Sequence, residues 1–155
     1  MTASASAVRR IWRTVAVAGL AFGARNARAQ ISVSGPPAAM KVTAAVAGSA
    51  PTAVSNTLTS YSLGSNPPSG HYAITAHLNS PMPAGVTLKI TLATNAARGT
   101  SSGAVTLSTV AQNVVTSISR RMSGQSITYN LSATAAAGVV PLQTRIVTLT
   151  QINTP

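Results

Sequence analysis

Apolar and polar residues alternate with period two along much of this chain, the pattern of strands with one face buried and one face wet. Tyr72, Ile74, Ala76 and Leu78 share one face of a predicted strand, opposite His71, Ala73, Thr75 and His77. Val86, Leu88, Ile90 and Leu92 repeat the pattern against Thr87, Lys89 and Thr91. Ile127, Tyr129, Leu131 and Ala133 do so against Ser126, Thr128, Asn130 and Ser132. Met40, Val42, Ala44 and Val46 predict an earlier strand, and further strands are expected over residues 31–34, 53–63, 104–111, 114–119 and 144–152.

Turn chemistry separates these segments: Gly35-Pro36-Pro37, Gly48-Ser49-Ala50-Pro51, Asn66-Pro67-Pro68-Ser69-Gly70, Pro81 to Gly85, Arg98-Gly99, Ser123-Gly124 and Gly138 to Pro141. Glycine, proline and asparagine break ladders at such places. Turns every eight to twelve residues predict an all-β fold: an antiparallel, immunoglobulin-like or Greek-key sandwich of about eight or nine strands. The abundant serine and threonine suit the outward face of such a sheet, wetting it without charge. Ala135-Ala136-Ala137 is too short for a helix and belongs to a connection.

Residues 1–29 read as a cleavable signal peptide. Arg9, Arg10 and Arg13 form its basic head, and the 11 residues from Thr14 to Ala24 its apolar core. A bilayer-spanning helix needs roughly 20 apolar residues, so this core is too short to anchor the chain. Ala27-Arg28-Ala29 offers the small-x-small pattern of a cleavage site, which places the mature start at Gln30 and a single sandwich domain over 30–155. Arg9-Arg10 also fits a twin-arginine signal, although Val8 stands where Ser or Thr is usual; the general secretory route is the other reading. No transmembrane segment is expected after cleavage; peripheral membrane association stays open.

Composition narrows the function. The 155 residues include no Asp, no Glu and no Cys. Carboxylate acid/base pairs, Ser-His-Asp triads, thiol nucleophiles and carboxylate or thiolate metal sites all need residues that are missing. No S-x-x-K motif is present, and Lys41 and Lys89 fall on polar faces where a lysine stays protonated. The chain therefore reads as a non-enzyme without cofactors. His71 and His77, six residues apart on one strand, would be separated by roughly 20 Å and could not share a metal ion.

The net charge is +11. Removal of the leader leaves six bases: Lys41, Lys89, Arg98, Arg120, Arg121 and Arg145. Arg120-Arg121 precedes Met122-Ser123-Gly124, which predicts a basic hairpin tip. Such a tip could meet an anionic partner, or serve only as a charged strand edge that discourages unwanted pairing. Nucleic acid is not expected as a partner, because six scattered bases and three tyrosines make a poor readout surface. Two copies repel each other, so charge alone predicts a monomer; self-association would need apolar or backbone contacts, such as an added strand.

The segments Tyr72-Ala73-Ile74-Thr75-Ala76, Pro83-Ala84-Gly85-Val86-Thr87-Leu88, Ile127-Thr128-Tyr129-Asn130-Leu131 and Arg145 to Thr150 resemble small secreted bacterial β-sandwich modules of the pilin-like or cell-surface-domain kind. The disulfide common in fimbrial subunits and the Trp motif of WxL-type wall modules are both missing, so no functional residue carries over. The resemblance implies an exported structural or interaction module of the periplasm, cell surface or exterior. One alternative is an accessory subunit that docks electrostatically on an acidic protein or another anionic envelope component. A carbohydrate-binding module is a second alternative, disfavoured by the shortage of aromatic platforms.

Overall fold

The computed structural model describes residues 31–43, 49–67 and 70–154. The expected signal peptide and its expected cleavage site lie outside the described residues. Among the described residues nine strands follow one another: β1 (Ile31–Val33), β2 (Val54–Leu63), β3 (His71–Leu78), β4 (Val86–Leu92), β5 (Thr100–Ser101), β6 (Val105–Thr106), β7 (Gln112–Ile118), β8 (Met122–Ala133) and β9 (Val147–Thr154). One 3-10 turn, Ala135–Ala137, lies between β8 and β9.

The strands form two antiparallel sheets, β1-β2-β8-β4-β6 and β5-β7-β3-β9. The chain crosses between sheets from β3 to β4 and again from β7 to β8, while β3 pairs with β7 and β4 with β8. Two interlocked strand pairs of this kind make the Greek-key centre of an immunoglobulin-like sandwich. The flanks differ from the usual immunoglobulin order: β2, early in the chain, borders β8, and the last strand β9 borders β3.

The inward faces meet in one core. Ile74, Ala76 and Leu78 of β3 pack with Leu88, Ile90 and Leu92 of β4, Ile127 and Tyr129 of β8, and Val114, Val115 and Ile118 of β7. The alternation read from the sequence fits these strands: Ile74, Ile90 and Ile127 are fully buried, while His71 and Lys89 on the opposite faces are exposed.

Three strands change the parity of their inward face at a bulge. In β8, Met122 is inward and so are Gln125 and Ile127, because Ser123-Gly124 together oppose Ser62. Gly124 sits at φ 62°, a left-handed conformation that suits glycine, and its N–H donates to Ser62 Oγ at 3.0 Å. The expected turn at Ser123-Gly124 is therefore a bulge within a 12-residue strand. In β2 the inward set passes from Val54 and Asn56 to Thr59, Tyr61 and Leu63 across Thr57-Leu58. In β7 consecutive Val114 and Val115 are both buried, and Ser117 takes a positive φ of 53°.

Two further expectations are corrected. The expected strand starting at Met40 is not one over 40–43; the rest of it lies outside the described residues. The alternation is real, with Met40 and Val42 half-buried and Lys41 and Thr43 exposed, but no ladder forms there. Period two reports which side is wet; it does not supply a neighbouring strand. The expected strand over 104–111 contains only the short β6, with β5 before it, and these belong to different sheets. Gly103, at φ 73°, turns the chain between them, and Ser101 Oγ accepts from its N–H at 3.2 Å.

Candidate functional site: an arginine cluster at one end of the sandwich

Arg120 and Arg121 do not sit on a hairpin tip. They occupy the tight connection from β7 to β8, which passes from one sheet to the other. The structure brings to them a residue that the sequence did not single out. Arg98 follows β4, and its Nη1 donates to Arg121 O at 2.9 Å. All three arginines are exposed.

Each turn is held by its own chemistry. Asn95 opens the β4–β5 connection: its Oδ1 accepts from Ala97 N at 3.0 Å and its carbonyl from Arg98 N at 2.8 Å. Self-capping of this kind is why asparagine starts turns. Arg98 O accepts from Ser119 N at 2.9 Å, tying this turn to the β7–β8 connection. Gly99 is needed for that approach, since a Cβ there would meet Ile118 Cγ1 at 3.2 Å. Asn66 Oδ1 accepts from Arg121 N at 2.8 Å, which brings in the β2–β3 connection as a third element. Tyr72 Oη in turn donates to Asn66 O at 3.3 Å.

Three connections thus converge and hold the arginines near one another. Asn95, Ala97, Arg98, Ser119 and Arg120 line an open hollow of about 580 Å³. The chain has no side-chain carboxylate to neutralise these guanidinium groups. Exposed guanidinium donors suit carboxylate, phosphate or sulfate oxygens.

The other bases are not part of this end. Arg145 is half-buried and committed to acceptors in two connections, donating to Pro81 O at 3.0 Å, to Thr144 O at 3.1 Å and to Gln143 Oε1. Lys89 projects from the middle of β4, paired across the ladder with Asn130. At the end opposite the arginines, Met40, Val42, Met82, Val86 and Leu131 line a mainly apolar groove of about 870 Å³, with Lys41 at its side.

Tyr61, Tyr72 and Tyr129 are all buried, so none offers a flat aromatic surface to a sugar. His71 is exposed and His77 half-buried with Nδ1 unpartnered, and among the described residues no group of three or more His, Cys, Asp or Glu side chains could hold a metal ion. No helix among the described residues is long and apolar enough to cross a membrane.

Sequence reasoning missed Arg98 because the signal is topological. Arg98-Gly99 reads as a turn, but its meeting with Arg120 requires knowing that β4 and β7 end on the same side of the sandwich. No family model, curated protein or solved structure matches this chain.

Proposed function

We propose that the protein is a non-catalytic, exported structural or interaction module of the bacterial envelope or cell surface, and that its arginine end docks on an acidic protein or another anionic envelope component. The observation that carries this reading is the convergence of Arg98, Arg120 and Arg121 on three interlocked connections, in a chain with no acidic side chain to offset them. Long-range attraction steers such an end toward a negative surface, and the exposed guanidinium groups then supply paired hydrogen bonds. The pilin-like or surface-domain resemblance and the basic, apolar leader support the same setting.

The test is binding to the native envelope fraction. Association should weaken markedly between about 0.05 and 0.5 M salt, because screening shortens the reach of exposed charges. Replacing Arg98, Arg120 and Arg121 together with Ser should reduce binding by at least about tenfold, as the loss of several charge-assisted hydrogen bonds requires. Lys41→Ser with Lys89→Ser removes two bases elsewhere and should change binding little. Equal binding by the triple variant and the wild type would sink the assignment.

A further inference from the structure

Among the described residues nearly every strand edge is guarded, and β9 is the exception. The outer strands β1, β5 and β6 are only two or three residues long. The part of β2 that β1 leaves uncovered is broken by the bulge at Thr57-Leu58, and the part of β7 beyond β5 is also bulged. On β4, β6 covers Lys89 and Ile90, which leaves only short stretches of that edge open. Short, bulged or charged edges resist the addition of another strand. By contrast, β9 pairs with β3 over eight consecutive residues without a bulge, from Leu78↔Val147 to His71↔Thr154. Its sequence, VTLTQINT, has no charge and no proline.

The free edge has a defined pattern. Asn79 N donates to Ile146 O at 3.1 Å, so the Ile146 main chain faces β3. In an antiparallel strand the sides alternate, so Thr148, Thr150 and Ile152 face β3, while Val147, Leu149, Gln151 and Asn153 turn their N–H and C=O groups to the open side. Among the described residues these four make no main-chain ladder on that side. β1 comes near β9 from the other sheet but does not pair with it. Gln151 adds a second irregularity. It lies opposite Ile74, on the inward face, and both its Oε1 and its Nε2 are buried without a partner among the described residues. A buried amide left unsatisfied at both atoms is costly.

We propose that two copies of the chain join β9 to β9, antiparallel, about a two-fold axis at Gln151, so that the two four-stranded sheets become one of eight strands. An isologous contact of this kind uses the same patch on both copies. This register pairs Gln151 with Gln151 of the second copy and Leu149 with Asn153, all edge-facing positions, so main-chain bonds form in both directions. It also sets the two Gln151 amides side by side on the inward face, where each can donate to and accept from the other. Shifting the register by two residues would place Gln151 against Leu149 and leave the amides unpaired.

Charge permits the contact. β9 carries none, and antiparallel pairing sends the two arginine ends in opposite directions. One sandwich measures roughly 36 Å along β8, several Debye lengths of about 8 Å at physiological salt. The expectation of a monomer from net charge takes no account of an uncharged edge. This inference does not rest on the anion-docking reading.

Sedimentation of the purified protein tests it. A monomer–dimer equilibrium is expected, persisting at a salt concentration that releases the arginine end from the envelope. Thr150 and Ile152 project outward and oppose each other across the proposed axis, so Thr150→Lys with Ile152→Lys creates two like-charge pairs. That variant should fold with an unchanged circular dichroism spectrum and raise the dimer dissociation constant by at least about tenfold. The chain has no cysteine, so Gln151→Cys gives a single thiol per copy. Directly opposed residues of a hydrogen-bonded pair lie about 5.5 Å apart at Cα, within disulfide reach, so mild oxidation should link this variant as a dimer. Leu149→Cys, displaced along the strand from its own copy, should stay unlinked. A wild-type monomer at every attainable concentration overturns the proposal, as does a dimer that the two lysines leave intact. Linking at 149 in preference to 151 overturns the register.

Discussion

Tyr61 shows how a single side chain sets a condition on stability. It is buried, its hydroxyl donates to Ala93 O at 2.8 Å, and burial pushes its pKa up to about 12. Tyr129 is shifted upward for the same reason. In the unfolded chain a tyrosine ionises near pH 10. Between those values the unfolded state binds fewer protons than the folded one, so stability is intact below about pH 10 and is lost as pH rises toward about 12. Urea melts across that window should show a falling midpoint, and Tyr61→Phe should flatten part of the fall. At neutral pH the same substitution should cost about 1–2 kcal/mol, because it strands the Ala93 carbonyl. A wild-type midpoint that stays level to pH 12 would contradict this account. Gly85 makes a steric counterpart. It sits at φ 75°, and a Cβ there would lie 2.7 Å from Thr134 Oγ1 and 2.9 Å from Ala137 Cβ. Gly85→Ala therefore meets both backbone strain and a clash, and a loss of about 2–4 kcal/mol is expected from denaturant melts.

At the scale of elements, the long regular strands were legible from period two alone, because alternation and burial report the same physics. β3 and β4 came within a residue of their expected bounds, and His71 and Lys89 faced outward as their polar positions implied. The bulged strands were harder. Ser123-Gly124 carries the composition of a turn, and only the opposing strand reveals that one extra residue was accommodated without reversing the chain. Consecutive Val114 and Val115 break alternation for the same reason. The segment from Met40 had the pattern but no neighbour. The arginine site was half legible: Arg120-Arg121 stands out as a pair, whereas Arg98 joins it only through the way two sheets share one end. The pairing of β2 with β8 and of β3 with β9 joins segments far apart in the sequence, which no local pattern encodes.

For the whole molecule, the missing acids change the response to pH at the other extreme. Acid unfolding ordinarily follows the protonation of carboxylates that the native state holds ionised. This chain has no Asp or Glu to protonate. Denaturant midpoints at pH 3 and pH 7 should therefore nearly coincide. A drop worth several kcal/mol at pH 3 would sink that prediction. The same absence leaves every charged side chain positive, so salt should modulate what the molecule adheres to far more than whether it stays folded.

The interlocking of strands also bears on how the chain acquires its shape in time. β2 finds its long partner in β8, and β3 is flanked on one side by β9, the last strand of the chain. One sheet cannot close before β8 is made, nor the other before β9, and each closure spans a long loop whose entropy must be spent before contacts repay it. Folding is thus expected on the slow side for a domain of this size, in milliseconds to seconds. During that interval β3, with Ile74 and Leu78, presents an apolar strand whose neighbour has yet to arrive. The hazardous species in the life of this protein is the chain that has made β3 and still waits for β9.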